Sequence, residues 1–203
     1  MKALKFKDRK VWFTSDTHYD HINICKGTTK WEAPLDRCRD FETLEAMNDM
    51  IVNNINAAVG QDDVLFHLGD WSFNGEDNIQ KFRERINCKE VHLILGNHDQ
   101  HIHRHTELFA SVSPHREITV NKQRIVLCHF AHRVWNKSHD GAWMLYGHSH
   151  GTLPELGKST DVGIDAHPEF RPFSFSELKE LLDARQIELV DHHDDKTEQQ
   201  PKR

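Results

Sequence analysis

Short apolar runs punctuate an otherwise polar chain: Val11-Trp12-Phe13, Val64-Leu65-Phe66, Val91 to Leu95, Ile125-Val126-Leu127 and Met144-Leu145. Runs this short and this apolar predict buried strands. Between them the period lengthens. Residues 41 to 59 place Phe41, Leu44, Met47, Ile51, Ile55 and Ala58 at helical spacing, which predicts an amphipathic helix lying on a sheet. A second helix is predicted over residues 77 to 87, with Ile79, Phe82 and Ile86 on its inner stripe. Ser174-Phe175-Ser176-Glu177 has the form of a capping box and is followed by Leu178, Leu181 and Leu182 on one predicted face. Residues 191–203 contain no apolar residue and are expected to form a disordered tail behind a single domain spanning 1–190.

Composition narrows the class. A chain of 203 residues with 37% hydrophobic content suits one domain with a sizeable core. The net charge is −6 and no basic block stands out, so extended binding to a nucleic-acid backbone is not expected. No stretch approaches the roughly 20 apolar residues that cross a bilayer. Cys25, Cys38, Cys88 and Cys128 lack C-x-x-C spacing, and Lys2, Lys5, Lys7, Asp8, Arg9 and Lys10 break up any apolar leader. A cytoplasmic protein with reduced thiols is the expectation.

The chemistry gathers just past the predicted strands. Asp16-Thr17-His18, Gly69-Asp70, Gly96-Asn97-His98-Asp99, His129 and Gly147-His148-Ser149-His150 each end a short apolar run. Asp, Asn and His are hard-to-borderline ligands, and together these pieces read as a two-metal site. Ligands in α/β sheets collect beyond the carboxyl ends of strands. In Asp16-x-His18 and His148-x-His150 the paired residues are two apart, so an extended backbone would send both side chains off one face toward one centre. Gly69, Gly96 and Gly147 are expected to let the backbone turn and bring the next side chain close to an ion.

The order D-x-H, G-D, G-N-H-D, H, G-H-x-H resembles the calcineurin-like metallophosphoesterase superfamily over residues 10 to 165. That resemblance implies an α/β four-layer sandwich, two β-sheets face to face and flanked by α-helices, with a dinuclear site at one edge. By the same resemblance Asp16, His18 and His150 hold one ion, Asn97, His129 and His148 the other, and Asp70 bridges both, while His98 is the catalytic histidine. The implied cofactors are two divalent metal ions, Mn²⁺ foremost, with Fe, Zn²⁺, Ni²⁺ or Co²⁺ compatible with the same donors. One position departs from the pattern: a second acidic residue three places after the bridging aspartate is replaced here by Phe73. Asp99 is the nearest substitute in sequence as a partner for His98, a secondary assignment.

Two divalent ions against only two ligand carboxylates, Asp16 and Asp70, leave an electropositive site that draws phosphate. Ions about 3.5–4 Å apart share a water and lower its pKa, so hydroxide is the expected nucleophile. No G-x-S-x-G motif offers a covalent route. The predicted function is hydrolysis of phosphodiesters or phosphomonoesters of small molecules, nucleotides among them. A protein phosphatase or nuclease is the alternative within enzymes, and a non-catalytic scaffold of the same fold the alternative outside them. Arg133, Trp135 and His21 are candidate substrate contacts. Trp31 and Trp71 are further aromatic candidates, and the loop from Phe130 to Gly141 is expected to wall the cleft. His101, His103 and His105 read as a solvated connection, His67 as a strand residue, and His192 and His193 as part of the tail.

Overall fold

The computed structural model describes residues 4–190. The expected tail, with His192 and His193, lies outside the described residues. In chain order the elements are β1 (Leu4–Phe6), β2 (Val11–Thr14), α1 (Leu44–Ala58), β3 (Val64–His67), α2 (Asp77–Arg85), β4 (Glu90–Ile94), β5 (Ser111–Ser113), β6 (His115–Val120), β7 (Gln123–Cys128), β8 (Trp143–Tyr146), β9 (Ser159–Asp161), β10 (Phe173–Ser174) and α3 (Phe175–Asp183). Each of the five apolar runs forms a strand.

The strands make two five-stranded sheets, one in the order β10-β2-β3-β4-β5 and the other β1-β6-β7-β8-β9. Strands β2 to β5 run parallel, as do β7 to β9, and β10 joins β2 antiparallel. Parallel neighbours need crossovers, so their carboxyl ends all emerge on one side. The alternation of side chains then divides the core. Val11, Phe13, Val64, Phe66, Ile118, Ile125, Leu127, Trp143 and Leu145 fill the space between the sheets. Leu65, Val91 and Leu93 point the other way, against Met47, Ile51 and Ile55 of α1 and Ile79 and Phe82 of α2. The architecture is the α/β two-sheet sandwich flanked by helices that the sequence leads one to expect.

Helix ends follow local chemistry. Thr43 caps α1 by accepting the Ala46 amide. The predicted capping box is present at α3, where the Ser174 hydroxyl accepts the Glu177 amide and the Glu177 carboxylate accepts the Ser174 amide. Leu178 and Leu182 of α3 enter the inter-sheet core, whereas Leu181 is 38% exposed and is not part of the buried stripe. The second sheet's outer face carries Val126, Met144 and Tyr146, and there the cover comes from the loop after β7, through Trp135 and Ala142. Among the described residues, no helix is long and apolar enough to cross a membrane.

Candidate metal centre

All the sequence-predicted ligands sit past carboxyl ends of parallel strands: Asp16 and His18 after β2, Asp70 after β3, Asn97 after β4, His129 at β7, and His148 and His150 after β8. Both sheets therefore contribute. They are tied together there, because His129 Nδ1 donates to the Leu68 carbonyl at 2.7 Å and the Ile164 amide donates to the Ser15 carbonyl at 2.9 Å.

The local backbone differs from the extended one expected. Asp16, His18, Asp70, His148 and His150 all have positive φ, between 47° and 67°. A D-x-H or H-x-H segment with two left-handed residues is a tight turn, and convergence comes from that turn and not from the alternation of a strand. Asp, Asn and His are the side chains that tolerate this region best after glycine. Of the three glycines, Gly69 alone has positive φ. Gly96 and Gly147 act by absence of bulk: a Cβ at Gly96 would lie 2.3 Å from Asp70 Oδ1, and one at Gly147 would lie 2.0 Å from Ser15 Oγ and 2.5 Å from Asp16 Oδ2.

The donors form two adjoining clusters, Asp16/His18/His150 and Asp70/His129/His148, with the potential ligand atoms of each within 4.8 Å of one another. In the first, His18 Nε2 is 3.2 Å from His150 Nε2 and 3.8 Å from Asp16 Oδ1. In the second, Asn97 Oδ1 lies 2.9 Å from His129 Nε2 and 3.0 Å from His148 Nδ1. Asp70 Oδ2 stands between them, 3.7 Å from His18 Nε2 and 3.6 Å from His129 Nε2.

This arrangement fits cations. Asp16 is fully buried, yet its Oδ1 has no hydrogen-bond partner. A buried carboxylate oxygen left in this way is costly unless a cation meets it. The other oxygen of each carboxylate is held by the backbone of a neighbouring ligand loop: Asp16 Oδ2 accepts the His148 amide at 2.9 Å, and Asp70 Oδ1 accepts the His98 amide at 3.0 Å. The donation from His129 Nδ1 to Leu68 leaves Nε2 as a lone pair aimed at the cluster. Burial lowers His18 well below the usual imidazole range, keeping it neutral as ligation requires, and raises Asp16 to about 6 in the metal-free chain.

The clusters rest on a supporting layer. His150 Nδ1 donates to Asp165 Oδ2 at 2.7 Å, which fixes the ring with Nε2 inward. Arg39 is buried, pairs with both Asp165 oxygens at 2.8 and 2.7 Å, and donates to the Asp16 and Thr17 carbonyls at 2.6 and 2.7 Å. Burial would raise the Asp165 carboxyl, but the Arg39 guanidinium and the bond to His150 hold it below the ordinary range. His67, at the end of β3, sets its Nε2 2.8 Å from Thr17 Oγ1, and burial takes it down to about 3. Sequence reading missed Asp165 and Arg39. The available signal was Val162-Gly163-Ile164-Asp165, a glycine and an acid just past a short strand, the same grammar as Leu68-Gly69-Asp70.

Asp99 is not a partner of His98. Its buried carboxylate accepts the amides of Asp70, Trp71 and Gly96 at 2.9, 3.0 and 2.8 Å, pinning the loop after β3 to the loop after β4. The exposed His98 ring instead lies 4.8 Å from the Phe73 ring and 6.0 Å from that of His18, centroid to centroid, and no carboxylate holds it among the described residues. Phe73 in turn stacks on His21 at 3.9 Å, which brings His21 to the rim of the first cluster, 5.4 Å from the His18 ring. Burial lowers His21 to about 4.

The other aromatic candidates divide. Trp31 is 47% exposed beside His21, at 6.0 Å. Trp71 is fully buried and donates to the Ile79 carbonyl, so it is core and has no face for a substrate. Trp135 is also buried, with its Nε1 donating to the Ala142 carbonyl and its ring packed on the outer face of the second sheet, which corrects its assignment as a substrate contact. Arg133 is exposed and borders a groove with His132, Tyr146 and Leu153 that no ligand residue shares. Only the start of the Phe130–Gly141 loop reaches the site, where the Phe130 ring lies 4.6 Å from that of His148. The rest turns away to cover the sheet. His103 lies in a short 3-10 turn that His101 and His105 flank, and His101 and His105 face Glu76, each at 3.4 Å.

Comparison with known proteins bears on the family and the fold. The sequence profile of the family described as calcineurin-like phosphoesterase matches residues 9–194. The uncharacterized protein MJ1445 of Methanocaldococcus jannaschii is 27% identical over 188 residues, covering 88% of this chain and 94% of its own. A protein of unknown function from Aquifex aeolicus, AQ665, superposes with a TM-score of 0.62 at 20% identity, covering 86% of this chain and 100% of its own, and shares the fold.

Proposed function

Because the chain belongs to the calcineurin-like phosphoesterase family, we propose that it is a dinuclear metal-dependent phosphohydrolase that cleaves phosphodiesters or phosphomonoesters of small molecules, nucleotides among them. The observation that carries this reading is Asp70, whose Oδ2 stands within 3.7 Å of one cluster's imidazole and 3.6 Å of the other's. A single carboxylate oxygen facing imidazoles of both clusters is the arrangement a shared ligand needs.

Asp16, His18, His150 and Asp70 would hold one divalent ion, and Asp70, Asn97, His129 and His148 the second. The hard-to-borderline donors favour Mn²⁺, with Fe, Zn²⁺, Ni²⁺ or Co²⁺ selected by availability. When bound, such ions lower the pKa of water toward neutrality and neutralise phosphoryl oxygens. The chain itself sets the charge balance. Asp165 is paired with Arg39, and among the residues that would hold the ions only Asp16 and Asp70 are carboxylates. That leaves a loaded site positive and attractive to phosphate. His98 has its backbone anchored on Asp70 and its ring free to meet the leaving group. As the oxygen of water bonds to phosphorus and the ester P–O bond breaks, His98 gives a proton to the departing oxygen, yielding an alcohol and a phosphate product.

The test is reconstitution with each of these metals, counting bound ions and measuring turnover of phosphomonoesters, linear diesters and cyclic nucleotides. Two ions per chain with turnover of at least one class is the expected result. Saturation at one ion, or no turnover with any metal, would overturn the reading.

A further inference from the structure

A small cavity opens beside His98 on the face of its ring that Phe73 borders. Its volume is about 170 Å³, and it is lined by Ser72, Phe73, Ile79, His98, His101 and Ile102. Its walls are chemically uneven. Phe73, Ile79 and Ile102 are apolar, and the last two are almost fully buried, so that part is fixed by the core. The Ser72 hydroxyl is buried without a partner.

The cavity shares a wall with the chemistry. His98 lines it and also lies 6.0 Å, ring to ring, from the first-cluster ligand His18. A group leaving phosphorus on the His98 side of the site would meet this space. An engineered apolar cavity of about 150 Å³ accommodates benzene, which sets the scale: one ring fits here. Phe73 lines it as an apolar ring 4.8 Å from the His98 ring.

We propose that this cavity is the leaving-group pocket, and that the chain acts on phosphoesters whose leaving group is a single planar ring. The inference rests on the phosphoesterase reading and deepens it. It also assigns Phe73 a role in specificity, because the ring that stands in place of a carboxylate builds the apolar wall of this pocket.

The test pairs two observations on the same metal-loaded protein. Phenyl and 2-naphthyl phosphate esters have alcohols of nearly equal acidity, so their relative kcat/KM reports size and not leaving-group chemistry. The wild type should favour the phenyl ester at least about tenfold, and Phe73→Ala, which widens the pocket, should bring the two within about threefold of one another. Separately, phenol titrated into the metal-free chain should shift the NMR signals of the His98 ring, and Phe73→Trp should abolish that shift while the rest of the spectrum remains folded. A wild type that takes both esters equally well and shows no phenol-induced change at His98 overturns the pocket assignment and leaves the phosphoesterase reading standing. Phenol binding at His98 without turnover of any ester overturns the phosphoesterase reading, and the leaving-group role with it.

Discussion

The two candidate metal clusters adjoin, with Asp70 facing an imidazole of each, yet they are built differently. In the first, Asp16 is fully buried and His18 is 4% exposed, and a layer of Asp165 and Arg39 stands behind His150. In the second, His129 is buried but Asn97 and His148 are exposed, and no comparable carboxylate backs either of them among the described residues. One cluster is a closed, braced cage and the other an open rim. The difference teaches where each task falls. A braced, desolvated cluster holds an ion tightly and in a fixed position, while an open one leaves room for substrate oxygens and exchanges its ion more readily.

The largest effect should come from removing what the clusters share. Asp70→Asn takes charge from both, and should release both ions and cut turnover roughly a thousandfold or more, since Lewis-acid stabilisation is worth several kcal/mol. Metal counting on the purified variant checks this. Two retained ions with full turnover would show that the clusters are independent.

Next is His98→Ala, which should leave both clusters loaded while lowering kcat by about 10²–10⁴. The loss should be greater for an alkyl or ribose ester than for a nitrophenyl ester, whose leaving group needs little protonation. Equal losses across that series would remove the general-acid role.

The asymmetry itself is sharpened by a pair of variants. Asp165→Asn removes the brace and should weaken the first ion about 10–100-fold with little effect on the second. Asn97→Ala should do the reverse, loosening the second ion alone. Competition with a chelator, read ion by ion, separates the two, and the comparison breaks if both variants lose ions in the same order.

The smallest effect is a control far from both clusters. The hydrogen bond from Arg171 holds the Glu177 carboxyl down to about 2, below its usual 4.5. A depressed carboxyl contributes stability that is present above the unfolded pKa and lost as pH falls from about 4.5 through about 2. Glu177→Gln should therefore cost about 0.5–1 kcal/mol at neutral pH, modest because the side chain is partly exposed, and flatten the acid limb of the stability curve. Thermal melts from pH 2 to 7 read this out. Metal affinity at either cluster should not change.

What could be read from the chain alone follows the range of the interactions involved. Strands such as Val64–His67 and the stripe of α1 are written in local periodicity, and the ligand pieces in short motifs, so both were legible. Asp165 was not, because its significance lies in contacts with Arg39, 126 positions away, and with His150. Asp99 looked like a partner for its neighbour His98, but the loop turns its carboxylate toward backbone amides that lie 28 and 29 positions away and at Gly96. Trp135 looked available because its loop leaves the site. Burial against Val126, Met144 and Tyr146 is a property of the assembled sheet, which no spacing in the loop announces.

The left-handed turns at Asp16, His18, Asp70, His148 and His150 set this chain's adaptability against its durability. Each such residue costs of order 1–3 kcal/mol that a glycine would not incur, and each is a position where glycine would erase a ligand. Directed evolution for heat resistance alone, run without metal and without a demand for turnover, should therefore accumulate glycine at exposed His148 first. The thermally fittest descendants would be those that had forgotten their chemistry, so any stabilisation campaign on this scaffold has to select for metal retention in the same round.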